Sequence, residues 1–168
     1  MKKLLVPFFA LMMFFPANGQ GQRIRYLVDT YGGKQDVVSI CIPGFLCRLA
    51  GNIADCSCEE RELLRSIRSV RILTSDNKTL NSRISFVDEL EKSRYDPDYR
   101  LMLSVDDQDQ KVRIFGNEHS GKIRDLIIVA SGDEENVLVC IRGRMNADML
   151  HILGNIVDAR GMEYTREL

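Results

Sequence analysis

Between Tyr99 and Gly143 four β-favouring runs follow one another: Tyr99 to Val105, Lys111 to Phe115, Lys122 to Ala130 and Val137 to Arg142. They are separated by Asp106-Asp107-Gln108-Asp109, by Gly116 to Gly121 and by Ser131 to Asn136. These Asp, Asn, Ser and Gly clusters supply the positive-φ or side-chain-bonded conformations that tight turns need. The stretch therefore predicts a C-terminal four-strand meander. Within it, Lys111-Val112-Arg113-Ile114-Phe115 alternates charge with hydrophobe, as a strand with one wet face does, whereas Leu126 to Ala130 and Val137 to Ile141 are apolar on both faces and belong in covered positions.

The preceding chain alternates helices and strands. Ile24, Leu27, Val28 and Tyr31 recur at helical spacing, and Gly32-Gly33 ends that helix. Val37 to Ile42 is a β-branched strand closed by Pro43-Gly44. Phe45, Leu49 and Ile53 repeat every four residues, which predicts a short helix. Ser57-Cys58-Glu59-Glu60 is a capping box, so a helix with Leu63, Leu64 and Ile67 on its apolar face follows, and then a strand over Val70 to Thr74. Asp76 or Asn77 caps a longer helix carrying Leu80, Ile84, Val87 and Leu90, ended by Asp96-Pro97-Asp98. A last helix starts near Asn146, turns Met149, Leu153, Ile156 and Val157 inward and closes at Gly161. The sum is an α+β fold: about six strands in a mostly antiparallel sheet with helices packed against it. There is no linker or internal repeat, and 168 residues suit a single domain with one sizeable core.

The amino terminus reads as a secretory signal over residues 1–19. Lys2 and Lys3 precede the apolar run Leu4 to Phe15, and Ala17 and Gly19 are the small residues that signal peptidase reads before cutting between Gly19 and Gln20. That run is shorter than the roughly 20 residues a bilayer span takes, so no transmembrane anchor is expected in the mature chain, residues 20–168. Cleavage leaves 21 basic against 24 acidic residues, a formal charge of −3. Nucleic acid, which demands a concentrated basic surface, is not an expected partner.

Arg71-Ile72-Leu73-Thr74 after a capped helix, then Tyr99 to Val105, Lys111 to Phe115, Lys122 to Val129 and Val137 to Gly143, resemble the bacterial envelope family known as domain of unknown function 4252. The resemblance runs from Gln22 to Val157. It implies an exported bacterial protein with no established activity and supplies no catalytic residues. Family members often look like lipoproteins; here the first cysteine is Cys41, so there is no lipobox cysteine at the cleavage point.

Candidate chemistry is sparse. Gly116 to Lys122 matches G-x-x-x-x-G-K, but Ile123 stands where a hydroxyl would bind magnesium and a strand follows instead of a helix, so a hairpin turn is expected. Cys41, Cys47, Cys56, Cys58 and Cys140 all survive cleavage into a compartment where disulfides form. Cys140, inside an apolar strand, reads as a buried inert thiol. For Cys47, Cys56 and Cys58 a disulfide from Cys47, free thiols, and metal or redox chemistry all stay open. The acidic groups Asp106 to Asp109 and Asp133 to Glu135 lack calcium-loop spacing and read as charged hairpin tips. His119 and His151 are far apart in sequence, and no metal site, cofactor or catalytic set is expected from them. If Phe115 pairs with Lys122, Arg113 and Arg124 become cross-strand neighbours, and with Arg142 or Arg144 they are either an anion or partner contact or a solvated face with interspersed acids.

The expectation is therefore an exported envelope protein, in the periplasm or associated with the envelope, that binds an envelope partner or another copy of itself without catalysis. The alternative is an envelope thiol protein using Cys47, Cys56 and Cys58.

Overall fold

The computed structural model describes residues 22–92, 98–146 and 148–150. The helix α1 (Gln22–Tyr31) buries the expected face, with Ile24, Leu27 and Tyr31 inside and Val28 packed against them. The Gly32 N–H donates to the Val28 carbonyl at 2.8 Å and ends the helix. β1 (Val37–Pro43) and α2 (Gly44–Ile53) follow as predicted. α3 (Cys58–Ser66) starts on the capping box: the Ser57 hydroxyl accepts from the Glu60 N–H at 3.1 Å, and the Glu60 carboxylate from the Ser57 N–H at 2.8 Å. β2 (Ile67–Ser75) begins earlier than the apolar run suggests, so Ile67 belongs to the strand and not to the helix face.

One long helix after Asn77 is replaced by two short ones, α4 (Lys78–Asn81) and α5 (Phe86–Lys92). Asn77 is the cap, its side chain accepting from the Leu80 N–H at 3.0 Å. The break is serine chemistry: the Ser82 hydroxyl turns back to the Thr79 carbonyl, and Ser85 Oγ accepts from the Asp88 N–H at 3.1 Å, opening a new helix. The sheet supplies the rest of that cap, since Asn136 Oδ1 accepts from the Phe86 N–H at 3.2 Å and Ser131 Oγ from the Val87 N–H at 3.0 Å. The Asn146 side chain accepts from the Met149 N–H at 2.9 Å, where the last helix was expected to start. Leu153 to Gly161, the signal segment and residues 93–97 of the predicted helix end lie outside the described residues.

The remaining strands are β3 (Arg100–Asp106), β4 (Gln110–His119), β5 (Lys122–Gly132) and β6 (Asn136–Met145). All six strands form one antiparallel sheet in the order β1-β2-β6-β5-β4-β3. The meander is as predicted, but its middle turn is tighter. Gly116 to His119 are strand, and only Ser120 and Gly121 turn, with φ of 53° and 69°. Two successive positive-φ residues make the hairpin turn whose twist matches the strands.

Both faces of the sheet's inner strands are covered, while β3 and most of β1 stay exposed. On one, α1 and α5 bury Leu73, Phe115, Ile127, Val129, Leu138 and Cys140. On the other, α2 and α3 cover Ile67, Ile123, Leu126, Ile141 and Met145. No helix among the described residues is long and apolar enough to cross a membrane.

The chain must pass from β2, second in the sheet, to β3 at the far edge, and a buried polar cluster pins this crossover. Asn136, 1% exposed, donates to Asn81 Oδ1 at 2.9 Å and to the Ile84 carbonyl at 2.8 Å. Asn81 donates in turn to the carbonyls of Ser75 and Glu134 at 3.1 and 3.0 Å. Asn136→Ala removes an acceptor and two donations at once, orphaning groups that water cannot reach. Urea unfolding should show a loss of about 3 kcal/mol, whereas Ser82→Ala, at an exposed position, should change stability by less than about 0.5 kcal/mol.

Candidate functional site

At the end of the sheet where β1, β4 and β6 finish and β2, β3 and β5 begin lies an open groove of about 1340 Å³. One cross-strand row runs through it: Ser69 stands opposite Arg142, Arg142 opposite Asp125, and Asp125 opposite Asn117. Arg142 Nε lies 3.2 Å from Asp125 Oδ1, with side chains 27% and 14% exposed. Burial pushes the Asp125 carboxyl above the usual carboxylate range, while Arg142 and the Tyr99 hydroxyl pull it back.

Four further arginines line this groove, each from a different element: Arg48 of α2, Arg68 of β2, Arg124 of β5 and Arg144 of β6. All four are exposed, and none makes an ion pair among the described residues. Two occupy ladder irregularities. Arg68 lies between Ile67 and Ser69, which pair with the adjacent residues Gly143 and Arg142, and Arg124 lies between Ile123 and Asp125, which pair with Glu118 and Asn117. A bulge of this kind leaves one residue unpaired and re-aims its side chain. His119, Asp98 and Glu118 also reach the groove. The first turn of α2 enters it at Gly44, where the approach is so close that a Cβ would come within 2.5 Å of the Arg68 carbonyl oxygen.

Of the arginines expected to cluster, Arg124, Arg142 and Arg144 therefore share the groove and Arg113 does not. The register pairs Phe115 with Ile127 and Arg113 with Val129, so Arg113 and Arg124 are not cross-strand neighbours. Extending β4 through Gly116 to His119 moves the hairpin along by several residues and separates them. Arg113, 9% exposed, is instead enclosed by the protein's own acceptors. Its Nε donates to Glu91 at 2.8 Å, its Nη2 to both Asp106 oxygens at 2.9 and 3.1 Å, and its Nη1 to the Val105 and Val112 carbonyls. Arg48 and Arg68 were not singled out in the sequence. No alternation marks Arg68, because Ile67 and Val70 are three residues apart and the ladder slips between Ile67 and Ser69.

The cysteines are free thiols: Cys47 and Cys140 buried, Cys56 half-buried, Cys41 and Cys58 exposed. Burial pushes the Cys47 thiol up, and pushes Cys140 up to about 12. The acidic tips are engaged as well: Asp106 holds Arg113, Glu134 holds Lys78 at 2.6 Å, and Glu135 accepts from the Thr74 hydroxyl at 3.1 Å.

A second surface lies along β1 and α2. Val38 and Ile40 of β1 and Phe45, Leu46, Leu49 and Ile53 of α2 are all exposed, Phe45 at 59% and Ile53 at 75%. The Phe45, Leu49, Ile53 stripe of α2 thus points outward, and Gly44, Cys47 and Gly51 face inward. Small residues sit there because the helix packs close to β2 and α3, with Leu64 within 3.2 Å of where a Gly51 Cβ would be.

Two outcomes follow. Iodoacetamide at pH 8 should alkylate Cys41 and Cys58 in the native protein, and Cys47 and Cys140 only after unfolding, as read by peptide mass spectrometry, because thiolate and access are both required. Arg113→Met should lower the free energy of unfolding by about 2 kcal/mol, since it leaves Glu91 and the Val105 and Val112 carbonyls without their donor.

No curated protein and no solved structure matches the chain. A family model described as "Domain of unknown function (DUF4252)" matches residues 31–153, which takes in every described element from β1 to β6. The chain belongs to the DUF4252 family of unknown function.

Proposed function

We propose that the protein is an exported, non-catalytic binding domain of the bacterial envelope whose first partner is a second copy of itself, joined through β1. Export rests on the Lys2-Lys3 pair, the apolar run Leu4 to Phe15 and the small residues before Gln20. The observation that carries self-association is the character of the β1 edge. Edge strands are ordinarily blunted by charge, proline or bulges, because their free N–H and C=O groups recruit other strands. The opposite edge also exposes apolar side chains, Leu101, Met102, Leu103 and Val105, but it is interrupted: β3 carries Arg100 and Asp106 at its ends and a ladder irregularity between Leu101 and Leu103. β1, Val-Val-Ser-Ile-Cys-Ile-Pro, carries no charge, pairs with β2 in unbroken register, and has Pro43 only as its last residue. Its exposed Val38 and Ile40, with the outward stripe of α2 beside them in the chain, give the apolar area that an interface core needs. Antiparallel pairing of β1 with the β1 of another copy is self-complementary, so it closes as a two-fold dimer and does not propagate.

The thiol alternative has less support. Cys47 is buried with its thiol pushed up, the opposite of an activated thiolate.

Light scattering on the chain beginning at Gln20 should give a dimer. Ile40→Lys, at an exposed edge position, should give a monomer with an unchanged circular dichroism spectrum. A wild-type chain that stays monomeric over the accessible concentration range overturns self-association through β1.

A further inference from the structure

We infer that the groove at the end of the sheet is a binding site for an anion carrying two or more carboxylate or phosphate groups. Arg68, Arg144 and Arg124 come from β2, β6 and β5, three adjacent strands. Neighbouring strands lie about 4.8 Å apart, so the outer two of these arginines are rooted about 10 Å apart with the third between them. Arg48 approaches the same groove from the first turns of α2.

Elsewhere in the described structure the enclosed arginine has been given its acids, as Arg113 has Asp106 and Glu91. Here Asp125 is engaged by Arg142, and the four arginines around that pair make no ion pair. Like charges gathered in one concavity repel, and a solvated surface gains nothing by collecting them. The ladder irregularities make the collection specific, because a regular strand would send alternate side chains to opposite faces, and an unpaired residue is free of that alternation. The guanidinium fork suits carboxylate and phosphate alike. What the spacing selects is a ligand with more than one negative group, spread over several ångströms. The groove adjoins the surface proposed for self-association, since Cys41 and Pro43 of β1 and Phe45 of α2 are in its lining, but anion binding rests on the arginines, and its test reads anion binding, not oligomeric state.

Calorimetric titration of the mature chain at low salt, with tripolyphosphate, hexaglutamate and inorganic phosphate as probes, tests the inference. Saturable binding of tripolyphosphate or of hexaglutamate is expected, at least about tenfold tighter than inorganic phosphate, and whichever of the two binds identifies a phosphate or a carboxylate source. Arg68→Ala combined with Arg144→Ala should weaken binding about tenfold or more, since each removes a charge-assisted contact. Arg124→Ala, an exposed and unpaired position, should weaken it about threefold to tenfold even where the double variant folds poorly. Arg83→Ala, between α4 and α5, should leave it unchanged. No saturable binding by any probe, equal affinity for inorganic phosphate and the larger probes, or equal losses in the Arg83→Ala control would overturn the inference.

Discussion

The fold depends on fastening a crossover. β2 ends next to the centre of the sheet, and β3 must start at its far edge, so the connecting chain has to lie over β6, β5 and β4 while burying its own polar backbone. Asn136 and Asn81 meet a central part of this need: Asn136 receives the Phe86 N–H and donates to the Ile84 carbonyl, and Asn81 donates to the Ser75 and Glu134 carbonyls. Once α4 and α5 are fixed by these polar contacts, Phe86, Val87 and Leu90 can drop onto the sheet and close one of the two cores.

Much of this was legible in the residues. Strong alternation or strong apolarity over a short run fixed the existence of the meander strands, and the Ser57 to Glu60 capping box fixed the start of α3 to the residue. What escaped were features decided by partners distant in sequence. The Leu80, Ile84, Val87, Leu90 spacing is genuine, yet Ser85 could start a fresh helix only because Asn136 and Ser131 wait on the sheet to receive the next two N–H groups. Likewise the Phe45, Leu49, Ile53 stripe shows amphipathicity without saying which side faces in. The side with glycines won, because backbone approach to β2 leaves no room for a larger side chain at Gly44.

The candidate site was legible only in part, and for a reason of register. Arg124, Arg142 and Arg144 were visible as charges in otherwise apolar strands, but their neighbours depended on where the hairpin turned. Two residues of turn at Ser120 and Gly121, instead of six, separated Arg113 from Arg124 along the ladder and left it in the company of Asp106 and Glu91. The same displacement brought Asn117 opposite Asp125 and carried His119 to the rim of the groove. A change of several residues in pairing thus redistributes these charges over the surface.

The position of β6 bears on how such a chain acquires its structure. The meander from β3 to β6 is built from neighbours in sequence and closes locally, but β2 is hydrogen-bonded to β6, and about half of the described chain lies between their pairing residues. A chain that emerges amino terminus first therefore completes β1 and β2 long before their partner exists. Until Met145 has followed, the inner edge of that hairpin stays open, and association of the two halves is the late, long-range step that sets the pace of folding.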